Sequence, residues 1–325
     1  MRALVVSNMQ PDRAHPQRGR FVRDQVDALR GIDGVDVELY EFPPGKRELA
    51  RAAWDLRRRY GRGRLDVVHA HFGLTAWPAL AASARVRALT VHGTDLSHPR
   101  TRSLTARVIP RMDILAAASA PLAERLPVQR ERALVLPCGV DLVRFHPIPR
   151  ADARAELKLD DEPFVLFLSS PSRPEKHYDL ALALARDANA EVRALYDVAP
   201  ELVALWINAA NAVLVPSARE GFGLAVLEAL ACDVPVLATP VGIHPQALAN
   251  VAGTLCAPFD LAVWRAALGP HLRDPDPRIA GRSHAEPFSA PRLAQRVLEA
   301  WRAALERVDA AGSPRPAASS DASPG

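Results

Sequence analysis

Short apolar runs alternate with amphipathic segments along most of the chain. Ala3 to Val6 reads as a buried strand, Phe21 to Leu29 as a helix, Val35 to Leu39 alternates like a strand, and Val67 to His71 is a further strand. Ala88 to Val91, Ile114 to Ala117 and Leu134 to Leu136 continue the series. Such alternation predicts a parallel sheet wrapped by helices. The texture breaks near residues 146 to 163, where Pro147 and Pro149 are followed by Asp160-Asp161-Glu162-Pro163, and the hinge is placed there. The second half restarts with a strand at Phe164 to Leu168, a helix from Tyr178 to about Ala188, and a short stretch at Val192 to Tyr196. A helix around Glu201 to Ala210, a strand at Ala212 to Val215, another helix and a strand at Val234 to Ala238 follow. In the last helix, about 290–308, Leu293, Val297, Trp301 and Leu305 form one stripe at steps of four. The expected units are 1–147, 148–309 with this helix in the second, and an Ala/Ser/Pro-rich tail, 310–325, expected to be disordered.

A chain of 325 residues is too long for one ordinary core and fits two. With 49% hydrophobic and 24% charged residues the composition is globular. No apolar stretch reaches the roughly 18 residues of a membrane span, and MRALVVSN runs directly into a strand, so the expectation is a cytoplasmic protein. Cys138, Cys232 and Cys256 contain no close pair, which argues against a disulfide framework or a zinc motif. A net charge of +4 with no recognition motif argues against a nucleic-acid partner.

Candidate chemistry begins at Glu228, the only charged residue between Gly221 and Cys232 in what reads as the start of a buried helix. An ionised side chain that leaves water needs replacement hydrogen bonds, which a donor-rich ligand would supply. Glu220 stands eight residues earlier, past Ala212 to Val215 and the Pro216-Ser217 turn. Strand, turn, glutamate, glycine pair and helix form a ligand-site layout for an open α/β sheet. If both glutamates were helical, their backbones would lie roughly 12 Å apart. That exceeds the roughly 5 to 9.5 Å of a hydrolytic carboxylate pair and suits the sugar and the ribose of one nucleotide sugar. A capping residue at Glu220 with a buried ion pair at Glu228 would give the same pattern.

The run Glu220-Gly-Phe-Gly-Leu-Ala-Val-Leu-Glu228, followed by Val234-Pro-Val-Leu-Ala-Thr-Pro-Val-Gly242, closely resembles the signature of retaining glycosyltransferases of family 4. Gly19-Arg20-Phe21-Val22, Asp66-Val-Val-His-Ala-His71, Thr90-Val-His-Gly-Thr-Asp95, Leu136-Pro-Cys-Gly-Val-Asp141, Phe145-His-Pro147 and Pro174-Glu-Lys176 agree in the family's order. The resemblance implies an α/β fold of the GT-B kind, two Rossmann-like domains whose parallel sheets face a central cleft. It implies a hexosyltransferase-type enzyme (EC 2.4) that moves a sugar from a nucleotide-diphosphate sugar to a hydroxyl of a glycan or lipid-linked acceptor, with retention. Glu228 would hold the ribose hydroxyls and Glu220 those of the donor sugar, both as acceptor-only carboxylates. Gly221, Phe222, Gly223 and Leu224 would complete the donor wall. Arg173 and Lys176 would neutralise the departing diphosphate; a solvated loop is the alternative. Gly19 and Arg20 would approach the diphosphate or acceptor, or Gly19 would be a turn glycine. His92 would touch the reacting sugar, or be a core histidine bonded to backbone. His69 and His71 lie at alternate strand positions, which point the same way without a metal. With no Asp-x-Asp motif in a suitable loop, transfer without metal or other cofactor is expected.

The chain departs from this pattern in three places. Ser170-Pro171 replaces the Gly-Arg that opens the phosphate motif, His177 stands where a glycine usually follows the lysine, and only 24 residues separate Lys176 from Glu201. The last implies a strand-helix unit shortened or absent, as in a branch acting in polysaccharide synthesis, or a degenerate member. The segment 46–64 carries Lys46, Arg47, Arg51, Arg57, Arg58, Arg59, Arg62 and Arg64 against Glu48 and Asp55, with Leu49, Ala53, Leu56 and Tyr60 as an apolar stripe. It is either a solvated helix face or a dock for an anionic membrane, the latter making the protein peripheral at the inner membrane face. A GT-B nucleotide-sugar epimerase and an inactive sugar-nucleotide-binding protein are the alternative functions. A dehydrogenase is disfavoured, because no G-x-G-x-x-G follows the opening strand.

Overall fold

The computed structural model describes residues 1–63 and 65–312. Two all-parallel sheets carry the fold. The first contains β1 (Arg2–Ser7), β2 (Asp36–Glu41), β3 (Leu65–His71), β4 (Ala84–Val91), β5 (Ile114–Ala117) and β6 (Leu134–Val135), in the order β2-β1-β3-β4-β5-β6. The second contains β7 (Phe164–Phe167), β8 (Glu191–Ala194), β9 (Ala212–Val215), β10 (Val236–Ala238) and β11 (Leu255–Cys256), in the order β11-β10-β9-β7-β8.

Strands buried on both faces explain the near-continuous apolar runs. Ala3, Val5, Ala88 and Ala116 point into one layer, while Leu4, Val6, Leu89 and Ala117 point into the other. That second layer continues through Leu166, Val213 and Val226 of the second unit, so apolar packing runs unbroken between the sheets.

The final helix, Ala290–Gly312, corrects two expectations. Its stripe of Leu293, Val297 and Trp301 does not pack on the second unit. It packs on Val22, Val26 and Leu29 of the helix Arg20–Arg30, beneath the first sheet. An apolar stripe reports that a partner exists, and the partner here is set by tertiary fit, including the Trp301 indole N–H that donates to His69 Nδ1 at 3.3 Å. Ala310 and Ala311, assigned to the disordered tail, continue this helix. The rest of the expected tail, residues 313–325, and Arg64 lie outside the described residues.

Two further features locate the cleft. The connection expected to be a breaker-rich hinge is stapled by arginines. Arg282 donates to the carbonyls of Leu142, Phe145 and Ala231, Arg278 to that of Ile148, and Arg154 to those of Asp160, Glu162 and Ala209. The second sheet ends at β8, from which the chain passes through the helix Pro200–Ala209 directly to β9. This is where the 24-residue spacing implied a shortened unit.

In the helix Lys46–Tyr60, Leu56 is buried, and Leu49 and Tyr60 pack half-buried on the core. The stripe read as a docking face is therefore largely the core-facing one. Outward stand the basic residues and Trp54, 66% exposed beneath the Arg58 guanidinium. Among the described residues no helix is long and apolar enough to cross a membrane.

Candidate active site

Segments at the carboxyl ends of strands meet between the two sheets, where open α/β folds place their ligands. From the first unit come His71 at the end of β3, His92 after β4 and Ser119 after β5. From the second come Ser170 to Lys176 after β7, Leu195 to Val198 after β8, and Pro216 to Gly223 after β9.

Glu228 lies on the helix Leu224–Ala231, half-buried, at the wall of a cavity of about 210 Å³ that Arg20, Asp24, Arg144, Tyr196 and Leu224 also line. No protein group among the described residues hydrogen-bonds or ion-pairs with its carboxylate. Burial pushes the carboxyl up to about 7, with Arg144 pulling it down and Asp24 pushing it further up. Arg144 is engaged elsewhere: its guanidinium donates twice to buried Asp24, at 2.5 and 3.2 Å. Asp24 also accepts from Arg20 Nε at 2.7 Å. Among the described residues the expected ion-pair partner of Glu228 is therefore absent, and its carboxylate lines the cavity without a hydrogen-bonded protein group. Across it, Gln17 Nε2 donates to Asp197 Oδ1 at 2.8 Å and links the two units.

Glu220 corrects the spacing argument, because it lies in the loop ahead of Leu224 and not on a helix, so the helical rise does not apply to it. It lines a second cavity, of about 250 Å³, with His92, Gly93, Arg125, Arg173, Arg219 and Gly221. Both of its oxygens accept from Lys176 Nζ, at 2.6 and 2.7 Å, and Ser217 Oγ donates to one of them at 2.8 Å. Glu220 and Lys176 are thus brought together, while Arg173 is exposed and donates to Glu175.

The glycine-rich turn has a steric origin. A Cβ on Gly221 would lie 2.1 Å from the His92 carbonyl oxygen, and the Gly221 carbonyl accepts from Ser119 Oγ at 2.8 Å. The two units therefore touch backbone to backbone beside His92. Phe222 is buried against Phe288, and Gly223 leads into the helix. At Gly19 the turn reading explains the residue: φ is 70°, and a Cβ would lie 2.4 Å from the Met9 carbonyl oxygen. Arg20 reaches the 210 Å³ cavity while paired to Asp24.

His92 is half-buried against the rings of Phe21 and Phe72. Its Nε2 lies 2.9 Å from His71 Nδ1, so its ring partner is a side chain and not backbone. Burial lowers His92 to about 3, leaving a neutral imidazole at physiological pH. The turn behind it is held by buried Asp95, whose carboxylate accepts from the backbone N–H groups of Gly73, His92 and Gly93. His69 and His71 do point the same way, with ring centroids 4.8 Å apart. His71, His92 and Cys138 bring ligand-type atoms within 4.8 Å of one another. The two nitrogens at 2.9 Å are nevertheless closer than the roughly 3.3 Å between two ligands of one tetrahedral zinc, and their geometry is that of a hydrogen bond.

Sequence reasoning missed Asp24, Arg144, Gln17, Asp197, Arg125 and Arg219. The one local signal was the Arg20–Asp24 spacing of four on a helix. The contact from Arg144 to Asp24 spans 120 residues and leaves no trace in the local pattern.

Residues 2–144 match the family model described as Glycosyltransferase Family 4, and residues 151–279 match the model described as Glycosyl transferases group 1. A D-inositol 3-phosphate glycosyltransferase of Thermobispora bispora is 31% identical over 77% of this chain and 73% of its own length. The enzyme of that name from Nocardia farcinica is 32% identical over 88% of this chain and 76% of its own. Among solved structures, sucrose-phosphate synthase from Thermosynechococcus elongatus superposes with a TM-score of 0.73 at 18% identity, covering 96% of this chain and all of that one. HepE of Anabaena, solved in complex with UDP and glucose, superposes with a TM-score of 0.69 at 15% identity, covering 93% of this chain and all of that one. Sequence and architecture converge: the chain belongs to glycosyltransferase family 4 and is a glycosyltransferase of the GT-B fold.

Proposed function

We propose that the chain moves a sugar, with retention, from a nucleotide-diphosphate sugar to a hydroxyl of a glycan or lipid-linked acceptor, without a metal. The observation that carries this reading is Glu228, a half-buried carboxylate at the wall of a 210 Å³ cavity with no hydrogen-bond or ion-pair partner among the described residues. A ribose diol supplies the two donors it lacks. The Tyr196 loop and Leu224 would then border the nucleoside, and Arg173, in the wall of the second cavity, and Lys176, paired to the Glu220 that lines it, would neutralise the charge that grows as the diphosphate leaves. Burial holds His92 down to about 3, which makes its ring a weak base for carrying a proton away. The acceptor hydroxyl therefore passes its proton to the departing phosphate oxygen as the new C–O bond forms on the face from which the phosphate–sugar bond breaks.

Proton NMR of the anomeric signal tests the reaction, with UDP-glucose and GDP-mannose as donors and D-inositol 3-phosphate, named in the relatives, among the acceptors. An α-linked product from an α-linked donor is expected; a β-linked product, or a free epimerised sugar nucleotide, would contradict it.

We propose in addition that the outward face of the helix Lys46–Tyr60, basic around exposed Trp54, rests on anionic lipid. Ion pairs of Arg51 with Glu48 and of Arg58 and Arg59 with Asp55 leave Lys46, Arg47 and Arg57 for that contact. Flotation with phosphatidylglycerol vesicles should be lost in a Trp54→Ala, Arg57→Gln double variant; equal flotation would refute it.

A further inference from the structure

We propose that His71 is a positioning residue that holds His92 in a single tautomer, protonated on Nδ1, so that His92 meets the sugar as a hydrogen-bond donor. The near nitrogens of the two rings are 2.9 Å apart, the ring planes differ by 16° and the centroids lie 5.0 Å apart. Those values describe rings joined edge to edge by one N–H···N bond, and not a face-to-face stack.

One proton occupies that bond, and it has two possible owners. If His92 Nε2 donates, neutral His71 must carry its proton on Nε2. That atom is buried and has no hydrogen-bond partner. A buried N–H without an acceptor is among the rarest arrangements in folded proteins. If His71 Nδ1 donates, only a lone pair is left bare at Nε2, and no donor is stranded. The proton is therefore assigned to His71 Nδ1.

The neighbours do not reverse this assignment. Trp301 can only donate, so His69 accepts at Nδ1 and carries its proton on Nε2, which lies 2.8 Å from Thr90 Oγ1. His69 therefore offers His71 Nε2 no free acceptor. Asp95, the nearest carboxylate in the turn, receives backbone N–H groups. A shared imidazolium is disfavoured as well, since burial pulls both rings down.

His92 then has Nε2 occupied as an acceptor, and the group left for a ligand is Nδ1–H, on a ring that lines the same cavity as Glu220. A neutral donor can hold a sugar hydroxyl or a developing negative charge, and it cannot act as a general base at that atom. That a sugar occupies the cavity rests on the transfer reading above; the tautomer does not, so the two can fail separately.

The test is long-range ¹H–¹⁵N correlation of ¹⁵N-histidine-labelled protein, with His92 assigned by its loss in His92→Gln. Wild type should show a protonated Nδ1 and a pyridine-type Nε2 at His92. His71→Asn, which keeps an N–H near the position of Nδ1, should preserve that pattern. His71→Phe, which keeps the ring and removes the donor, should give a mixture of tautomers, with kcat in the transfer assay falling about tenfold or more. Protonation of His92 on Nε2 in the wild type would overturn the proposal. So would an unchanged pattern in His71→Phe, or loss of the pattern in both variants, which packing alone would explain.

Discussion

Lys176→Ala is expected to lower turnover by about 100- to 1,000-fold, the usual cost of removing one donor aimed at developing charge. Lys176 is one of only three lysines in the chain, sits in the turn after β7, and holds both oxygens of Glu220. On the transfer reading proposed above, the substitution removes a cation from where the diphosphate would depart. It also leaves Glu220 with the Ser217 hydroxyl as its only protein donor among the described residues. Glu220 would then be free to shift, so part of the loss comes from misplacement of the sugar. Lys176→Arg keeps the charge but not the compact ammonium geometry and should fall in between. Single-turnover rates would measure the effect, with thermal melting to show that the variant is folded. A folded Lys176→Ala within threefold of wild type would remove Lys176 from the reaction.

Gly221→Ala should be nearly as damaging although it adds a single methyl group. The new Cβ would sit 2.1 Å from the His92 carbonyl oxygen, a backbone atom on the opposite wall of the cleft. Neither side can yield by turning a rotamer, so the two walls must separate. A displacement near 1 Å of the reacting groups costs on the order of 100-fold in rate. The apolar layer shared by the two units parts only beside this contact, so the melting temperature should fall modestly while turnover drops far more. Rates within threefold of wild type would show that this backbone contact is dispensable for transfer.

The legibility of the sequence followed the physics of each element. Ala212 to Val215 was read at its observed bounds because a strand buried on both faces is an unbroken apolar run. The helix Leu261–Arg273 was not read at all. Gly269 and Pro270 interrupt it, and Trp264 and Leu268 are its only fully buried residues. β11 is two residues long and has no pattern to detect. The stripe of Leu293, Val297 and Trp301 announced a buried face but not which unit would bury it. In the site, Glu228 stood out because a charge in an apolar run is conspicuous, Glu220 by its place past a buried strand and a turn, and Lys176 only through the family resemblance. The Arg144–Asp24 pair, the Gln17–Asp197 link and the His71–His92 bond join distant segments, and only folding places them together.

The most direct test of the central claim is an equilibrium titration of the protein with UDP, GDP and ADP at pH 8 and pH 6, with Glu228→Ala as control. One nucleotide should bind, and the variant should lose about tenfold or more in affinity, since hydrogen bonds to a charged group contribute about 1.5–3 kcal/mol each. The sign of the pH effect follows from Glu228. Its carboxyl titrates near 7 in the free protein, and ribose donors favour the ionised form. Binding should therefore release a proton, and wild-type affinity should be about tenfold weaker at pH 6 than at pH 8, with little such difference in the variant. Equal affinity in wild type and Glu228→Ala, or no binding of any of the three nucleotides, would contradict the assignment of this cavity to the sugar-nucleotide donor.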